Sequence, residues 1–248
     1  MSLFSSLSSA SPKSKQLGLL LIFLFAASSS IMLGVPIMFK EPLIYCTPPS
    51  LTNPHICSEI EACSNHNIIF IDKINGPKSL TAEFGLICEK SSLKRFCLTM
   101  SFFGFFIGCI VCTVVDVKAN QRKLILSVCS IGYAASLLLT LVFAEMLEVI
   151  AVLLFLTSFF FCFINAYVYV FITENFEGEF ASAMMIMVNV GWAVAGILLA
   201  TLAYNVNSDW KIVLGTSGVL IGVVAVVLFL TPYQKDYKED NAAKVILI

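Results

Sequence analysis

Val149-Ile-Ala-Val-Leu-Leu-Phe-Leu-Thr-Ser-Phe-Phe-Phe-Cys-Phe-Ile-Asn-Ala-Tyr-Val-Tyr-Val-Phe-Ile172 contains no charged residue. A bilayer core about 30 Å thick needs roughly 20 apolar residues per helix, so this run is long enough to cross one. Backbone groups left unpaired in lipid cost several kcal/mol each, and the run lacks the alternation of a barrel strand. It is therefore predicted to be a transmembrane helix. Five further runs read the same way: Leu17–Phe39, Phe96–Val117, Leu124–Ala144, Phe180–Tyr204 and Val213–Leu230. None carries a Lys, Arg or Glu in its middle, and the one acid, Asp116, sits at an end.

Composition agrees. The chain is 58% hydrophobic and 12% charged, whereas a soluble domain is nearer a quarter charged. A formal net charge of -1 gives no field that would draw nucleic acid. The expected fold is an all-α membrane protein: a six-transmembrane-helix bundle over residues 17–232, between an N-terminal tail (1–16) and a C-terminal tail (233–248). Residues 40–95 are expected to form an extramembrane loop between the first two helices.

Basic residues set the expected orientation. Lys13 and Lys15 precede the first run, Lys118, Arg122 and Lys123 join the second to the third, and Lys235, Lys238 and Lys244 follow the sixth. With six spans these fall on one side, which puts both termini in the cytoplasm of a plasma or endomembrane. The alternative is the mitochondrial inner membrane, with the termini in the matrix. The Ser-rich, acid-free first 16 residues fit a cytoplasmic tail or a mitochondrial signal. Lys94 and Arg95 abut the second run from the opposite side, against the rule.

Four cysteines, Cys46, Cys57, Cys63 and Cys88, lie in the long loop. On the outer side of a membrane they suggest two disulfides, with three connectivities open, or else free thiols. Their spacing is not that of a zinc site, and no metal or cofactor is expected. Cys97, Cys109, Cys112, Cys129 and Cys162 lie in or near helices and are read as small packing residues. The pairs Gly104/Gly108 and Gly218/Gly222 allow close helix approach, inside the bundle or at an intermolecular seam. No enzyme signature is present.

Four short runs carry a resemblance. They are Pro42-Leu-Ile-Tyr-Cys46, Lys78-Ser-Leu-Thr-Ala-Glu83-Phe-Gly-Leu-Ile-Cys88, Tyr169-Val-Phe-Ile-Thr-Glu174, and Leu202-Ala-Tyr204 followed by Ser208-Asp-Trp210-Lys211. In order and position they resemble landmarks of the organic cation and anion transporters, a branch of the major facilitator superfamily. The resemblance covers residues from about 40 to 211. It implies that this chain supplies the N-terminal six-helix half of such a carrier. A substrate would then sit near the midplane, between this bundle and a second one.

The resemblance also implies a latch between the second and third helices. Its acid would be Asp116 and its bases Arg122 and Lys123, with Glu174 at the end of the fourth helix. The turn glycine of the family signature is missing and the spacing is longer, so an ordinary basic loop reads equally well. No ionisable residue stands mid-membrane, which argues against a proton-coupled cycle. Candidate ligand contacts are Phe163, Asn165, Tyr167, Asn189 and Trp192, an aromatic and amide set able to hold a small organic cation. Packing is the alternative for each.

Two functions follow. One is a half-sized organic ion carrier that pairs with a second copy or another six-helix half. The other is a transport-inactive, transporter-derived structural subunit of a larger membrane complex, in mitochondria for example. The lipid bilayer is a partner in both.

Overall fold

The computed structural model describes residues 12–47, 55–64, 68–72, 78–115, 117–176, 178–205 and 209–231. The helices are α1 (Pro12–Ser28), α2 (Ser30–Met38), α3 (Glu59–Ser64), α4 (Leu80–Phe84), α5 (Ser91–Val114), α6 (Ala119–Val142), α7 (Leu147–Asn175), α8 (Gly178–Asn205) and α9 (Trp210–Leu230). Three strands, β1 (Leu43–Thr47), β2 (His55–Cys57) and β3 (Ile68–Asp72), lie between α2 and α4. Among the described residues, five helices, α5 to α9, are long and apolar enough to cross a membrane.

The first expected span, Leu17–Phe39, is two helices rather than one. The cause is local. Ser28 Oγ donates to Phe25 O (2.9 Å) and Ser29 Oγ to Ala26 O (2.6 Å). Hydroxyls that bond back onto the preceding turn compete with the helix ladder and bend it. Pro36, inside α2, has no N–H to donate. The break is slight, because Ser29 keeps right-handed helical dihedrals, φ −64° and ψ −19°. The Tyr133 hydroxyl of α6 donates to Ser28 O (2.7 Å), so a neighbouring helix supplies a partner at the break. Both α1 and α2 pack on α8 and α9 and so follow one path.

Helix α5 also differs from expectation. It starts at Ser91 and stops at Val114, so the expected loop ends earlier than residue 95. A 3₁₀ turn, Cys88–Lys90, leads directly into it. Lys94 and Arg95 are therefore on the first turns of a helix, where long stems let the charges reach the membrane surface.

Helix α7 is the most covered of the five and forms the centre of the packing. It packs against α5 on one side and α6 on another. Helix α1 packs against α8 and α9 in the same manner, and α6 and α9 pack on each other. Exchanging α1, α5, α6 with α7, α8, α9 maps these contacts onto themselves, the signature of an internal repeat. Glycines set the closest approaches. A Cβ on Gly104 would run into the Phe155 carbonyl, and one on Gly108 would lie 2.8 Å from Phe159 O and 2.9 Å from Cys162 Cβ. Gly218 and Gly222 face Leu138 and Ala134 of α6. Both pairs thus serve packing inside the bundle.

The segment between α2 and α5 has more structure than a loop. Its strands form an antiparallel sheet in the order β2-β1-β3, with Cys46 opposite His55 and Tyr45 opposite Phe70. Cys46 is bonded to Cys57 and Cys63 to Cys88. Ile44, Cys46, Cys57, Ala62 and Ile87 form its small core. A core this small needs covalent help. Closing loops of these lengths is worth about 3 kcal/mol per bridge in the chain-entropy account.

Candidate functional site

At the end of the bundle where α9 stops, three helix termini meet. Arg122, in the first turn of α6, pairs through Nη1 with Glu174 Oε1 in the last turn of α7. Its Nε donates to Val117 O in the preceding connection (2.9 Å). Lys123 Nζ donates to Thr231 O and lies 3.5 Å from Phe229 O, at the C-terminus of α9. Each charge is misplaced for its own helix dipole, since a cation sits at an N-terminus and an anion at a C-terminus. Each is well placed for its neighbour's. Arg122 and Lys123 lie against the negative ends of α7 and α9, and Glu174 against the positive end of α6. Of the four residues expected to form a latch, Arg122 and Glu174 are thus paired, and Lys123 beside them is tied to the end of α9. Asp116 lies outside the described residues.

At the opposite end, two distant runs meet. Ser79 caps α4 by accepting from Ala82 N (3.2 Å) and donates to Lys40 O (2.7 Å). Gly85, at φ +60°, closes the helix in a left-handed conformation that suits glycine. Helix α4 thereby presents Glu83. Its Oε2 accepts from Trp210 Nε1 (2.9 Å) and its Oε1 from Lys211 Nζ (2.7 Å). Trp210 N donates to Lys78 O (3.2 Å), and Asp209 caps α9 by accepting from Lys211 N (3.0 Å). Trp210 is fully buried. Sequence reasoning quoted both runs as landmarks and missed that they bind each other. An acid in one and a base beside an indole N–H in the other were the available signal. Nearby, a cleft of about 720 Å³ beside the Cys63–Cys88 bridge is lined in part by Glu41, Glu59 and Glu89.

Between these ends, α1, α7 and α8 converge. Tyr169 Oη of α7 donates to Asn189 Oδ1 of α8 (2.8 Å), and Asn189 Nδ2 donates to Met185 O (2.7 Å). Phe25 of α1 meets the Tyr169 ring edge-on, with centroids 5.5 Å apart. Asn165 is one turn before Tyr169 on the same face of α7, and Trp192 is one turn after Asn189 on α8. Neither Asn165 nor Trp192 makes a side-chain hydrogen bond among the described residues, and Trp192 is 36% exposed. Phe163 and Tyr167 are elsewhere. They stack with centroids 6.1 Å apart and are buried inside the bundle. Residues two apart on a helix are roughly 200° apart, so Asn165 and Phe163 face opposite ways. The five expected ligand contacts thus split into a polar strip (Asn165, Asn189, Trp192) and a packing pair. Tyr169, which sequence reasoning left out of the set, belongs with the strip.

A polar strip thus lies between charged ties at the two ends of an internally repeated helical bundle. No curated protein matches the chain. The family model of the Major Facilitator Superfamily matches residues 79–246, more than half of the sequence, from α4 through α9 and beyond. The match takes in the Glu83 clamp, the Arg122–Glu174 pair and the Tyr169–Asn189 strip together, and on that extent the chain belongs to the Major Facilitator Superfamily.

Proposed function

We propose that this transporter-like membrane protein is a half-sized carrier of small organic cations, in which six spans, the first made of α1 and α2, form one wall of a midplane cavity. A second bundle would supply the other wall. That bundle would come from another copy, another six-helix chain or a further segment. Tyr169 holding Asn189 beside Asn165, which has no side-chain hydrogen bond among the described residues, and a part-exposed Trp192 is the observation that carries this reading. The indole face and the phenol ring attract a cation through their quadrupoles, and the amides orient it. The resemblance to organic cation and anion carriers supports the substrate class.

The test is uptake of tetraethylammonium into vesicles that contain the chain. Saturable uptake is expected, with half-saturation raised roughly tenfold by Trp192→Ala, in line with a cation–π contact of about 1–2 kcal/mol. Uptake no faster than in empty vesicles, with the protein present and folded, overturns a carrier built from two copies of this chain.

A structural subunit is the second reading. It is favoured by the absence of an ionisable side chain from the middle of every expected span. Gentle extraction from the native membrane separates the two. Recovery in fixed ratio with a large complex supports the subunit, and a dimer or a pair of six-helix chains supports the carrier.

A further inference from the structure

We propose that Cys109 of α5 and Cys162 of α7 form an oxidation site, a dithiol that a small hydroperoxide converts to a disulfide joining the two helices. Their Sγ atoms are 3.1 Å apart, with the Cys162 thiol directed at Cys109. The glycines of α5 are the cause of this proximity. Gly104 and Gly108 let the α5 backbone settle against Phe155 and Phe159 of α7, and Cys109 follows directly after Gly108. A disulfide needs the sulfurs about 1 Å closer than this. Cys162 is buried and Cys109 is half-buried, so the outer thiol meets the oxidant and the inner one resolves it.

The chemistry balances. The Cys109 sulfur attacks one peroxide oxygen and the O–O bond breaks. The departing hydroxide takes the thiol proton as water, leaving a sulfenic acid on Cys109. The Cys162 sulfur then attacks the Cys109 sulfur, the S–O bond breaks, and a second water leaves with the Cys162 proton. Two thiols lose two electrons and two protons, and one peroxide becomes two waters. Hydrogen peroxide is neutral and small enough to enter the membrane, so the site needs no aqueous channel. Cys112 lies one turn from Cys109 on α5 and is the competing partner.

The inference does not depend on whether the chain carries a solute, and its readout is chemical. The full chain in lipid nanodiscs is exposed to hydrogen peroxide, alkylated with N-ethylmaleimide, digested without reductant and analysed by mass spectrometry. The expected result is a linked peptide pair holding Cys109 and Cys162, with loss of maleimide from both and its recovery after dithiothreitol. Cys112→Ser should leave the bridge unchanged. Cys162→Ser should leave Cys109 as a sulfenic acid that dimedone traps. Three wild-type outcomes would overturn the proposal: both thiols alkylated as in untreated protein, a Cys109–Cys112 bridge instead, or oxidation of Cys109 beyond the sulfenic acid with no bridge formed.

Discussion

Arg122 and Glu174 are each about three-quarters shielded from solvent, so losing one strands the other in a place where water replaces it poorly. Arg122→Ala or Glu174→Ala should each cost about 1–3 kcal/mol, read as a lower unfolding midpoint in detergent. The double variant should cost less than the sum of the two. Exchanging the pair, Arg122→Glu with Glu174→Arg, should recover part of the loss by restoring the ion pair, because what each charge gains from its own helix dipole it loses against its neighbour's. It should not recover the bond to Val117 O, which only a donor can make. Glu83 gives a second contrast. Its pair with Lys211 is more than a third exposed and is worth well under 1 kcal/mol after solvent screening. Its bond to the buried Trp210 indole is worth more. Glu83→Gln keeps an acceptor there and should be nearly silent. Glu83→Ala strands a buried N–H and should cost about 1–3 kcal/mol. With only two tryptophans in the chain, Trp210 emission in a Trp192→Phe background reports the difference. These partners were half legible in the sequence. The resemblance picked out Arg122, Lys123 and Glu174, because it assigns a latch to an acid and bases at these helix ends. They did not pick out the Glu83 clamp, because nothing local marks two residues as neighbours when most of the chain separates them.

At the scale of elements, α5 rests on α7 through glycine and α9 rests on α6 through glycine, yet the two contacts should tolerate substitution differently. A methyl group on Gly104 meets backbone, which cannot yield. One on Gly218 meets the Leu138 side chain at 3.1 Å, which can turn aside, and Leu137 Cβ at 3.3 Å, which needs to give by only a few tenths of an ångström. Gly104→Ala should therefore cost about 2 kcal/mol or more and Gly218→Ala less than about 1 kcal/mol, measured as the shift in detergent-unfolding midpoint of each variant. The helices themselves were readable because apolar length is a one-dimensional signal and lipid leaves the backbone few options. What length could not show was the kink at Ser28 and Ser29, which arises from hydroxyls bonding within the helix. Nor could it show the sheet between α2 and α4. Leu43–Thr47 and Ile68–Asp72 have strand-like β-branched and aromatic content, but beside long membrane runs they read as short apolar patches in a loop.

For the whole molecule, coverage is uneven. Helices α5 and α8 are the least covered, and Phe102, Phe103 and Phe106 on α5 with Ile186, Val190 and Ile197 on α8 touch little protein. If the chain works beside a second bundle, one of these faces should be shielded from lipid in the native membrane. A photoreactive residue placed at Phe106 or Ile197 should then cross-link to protein, and one at the α9 residue Val223 should react with lipid. Lipid adducts at all three positions would mean the bundle stands alone. The bundle, its repeat and its polar strip make a transporter-like body.

The clamp between Glu83 and α9 also has a consequence in time. Its two ends are separated by 128 residues. At a synthesis rate of about 5–20 residues per second, Glu83 is made on the order of 10 s before Lys211 exists. For that interval the sheet cannot lean on α9. The bonds then available to it are those closed within its own stretch, Cys46 to Cys57 and Cys63 to Cys88. A nascent chain kept reduced during this window should therefore present an unfastened segment to proteases and quality control before its last helix has been made.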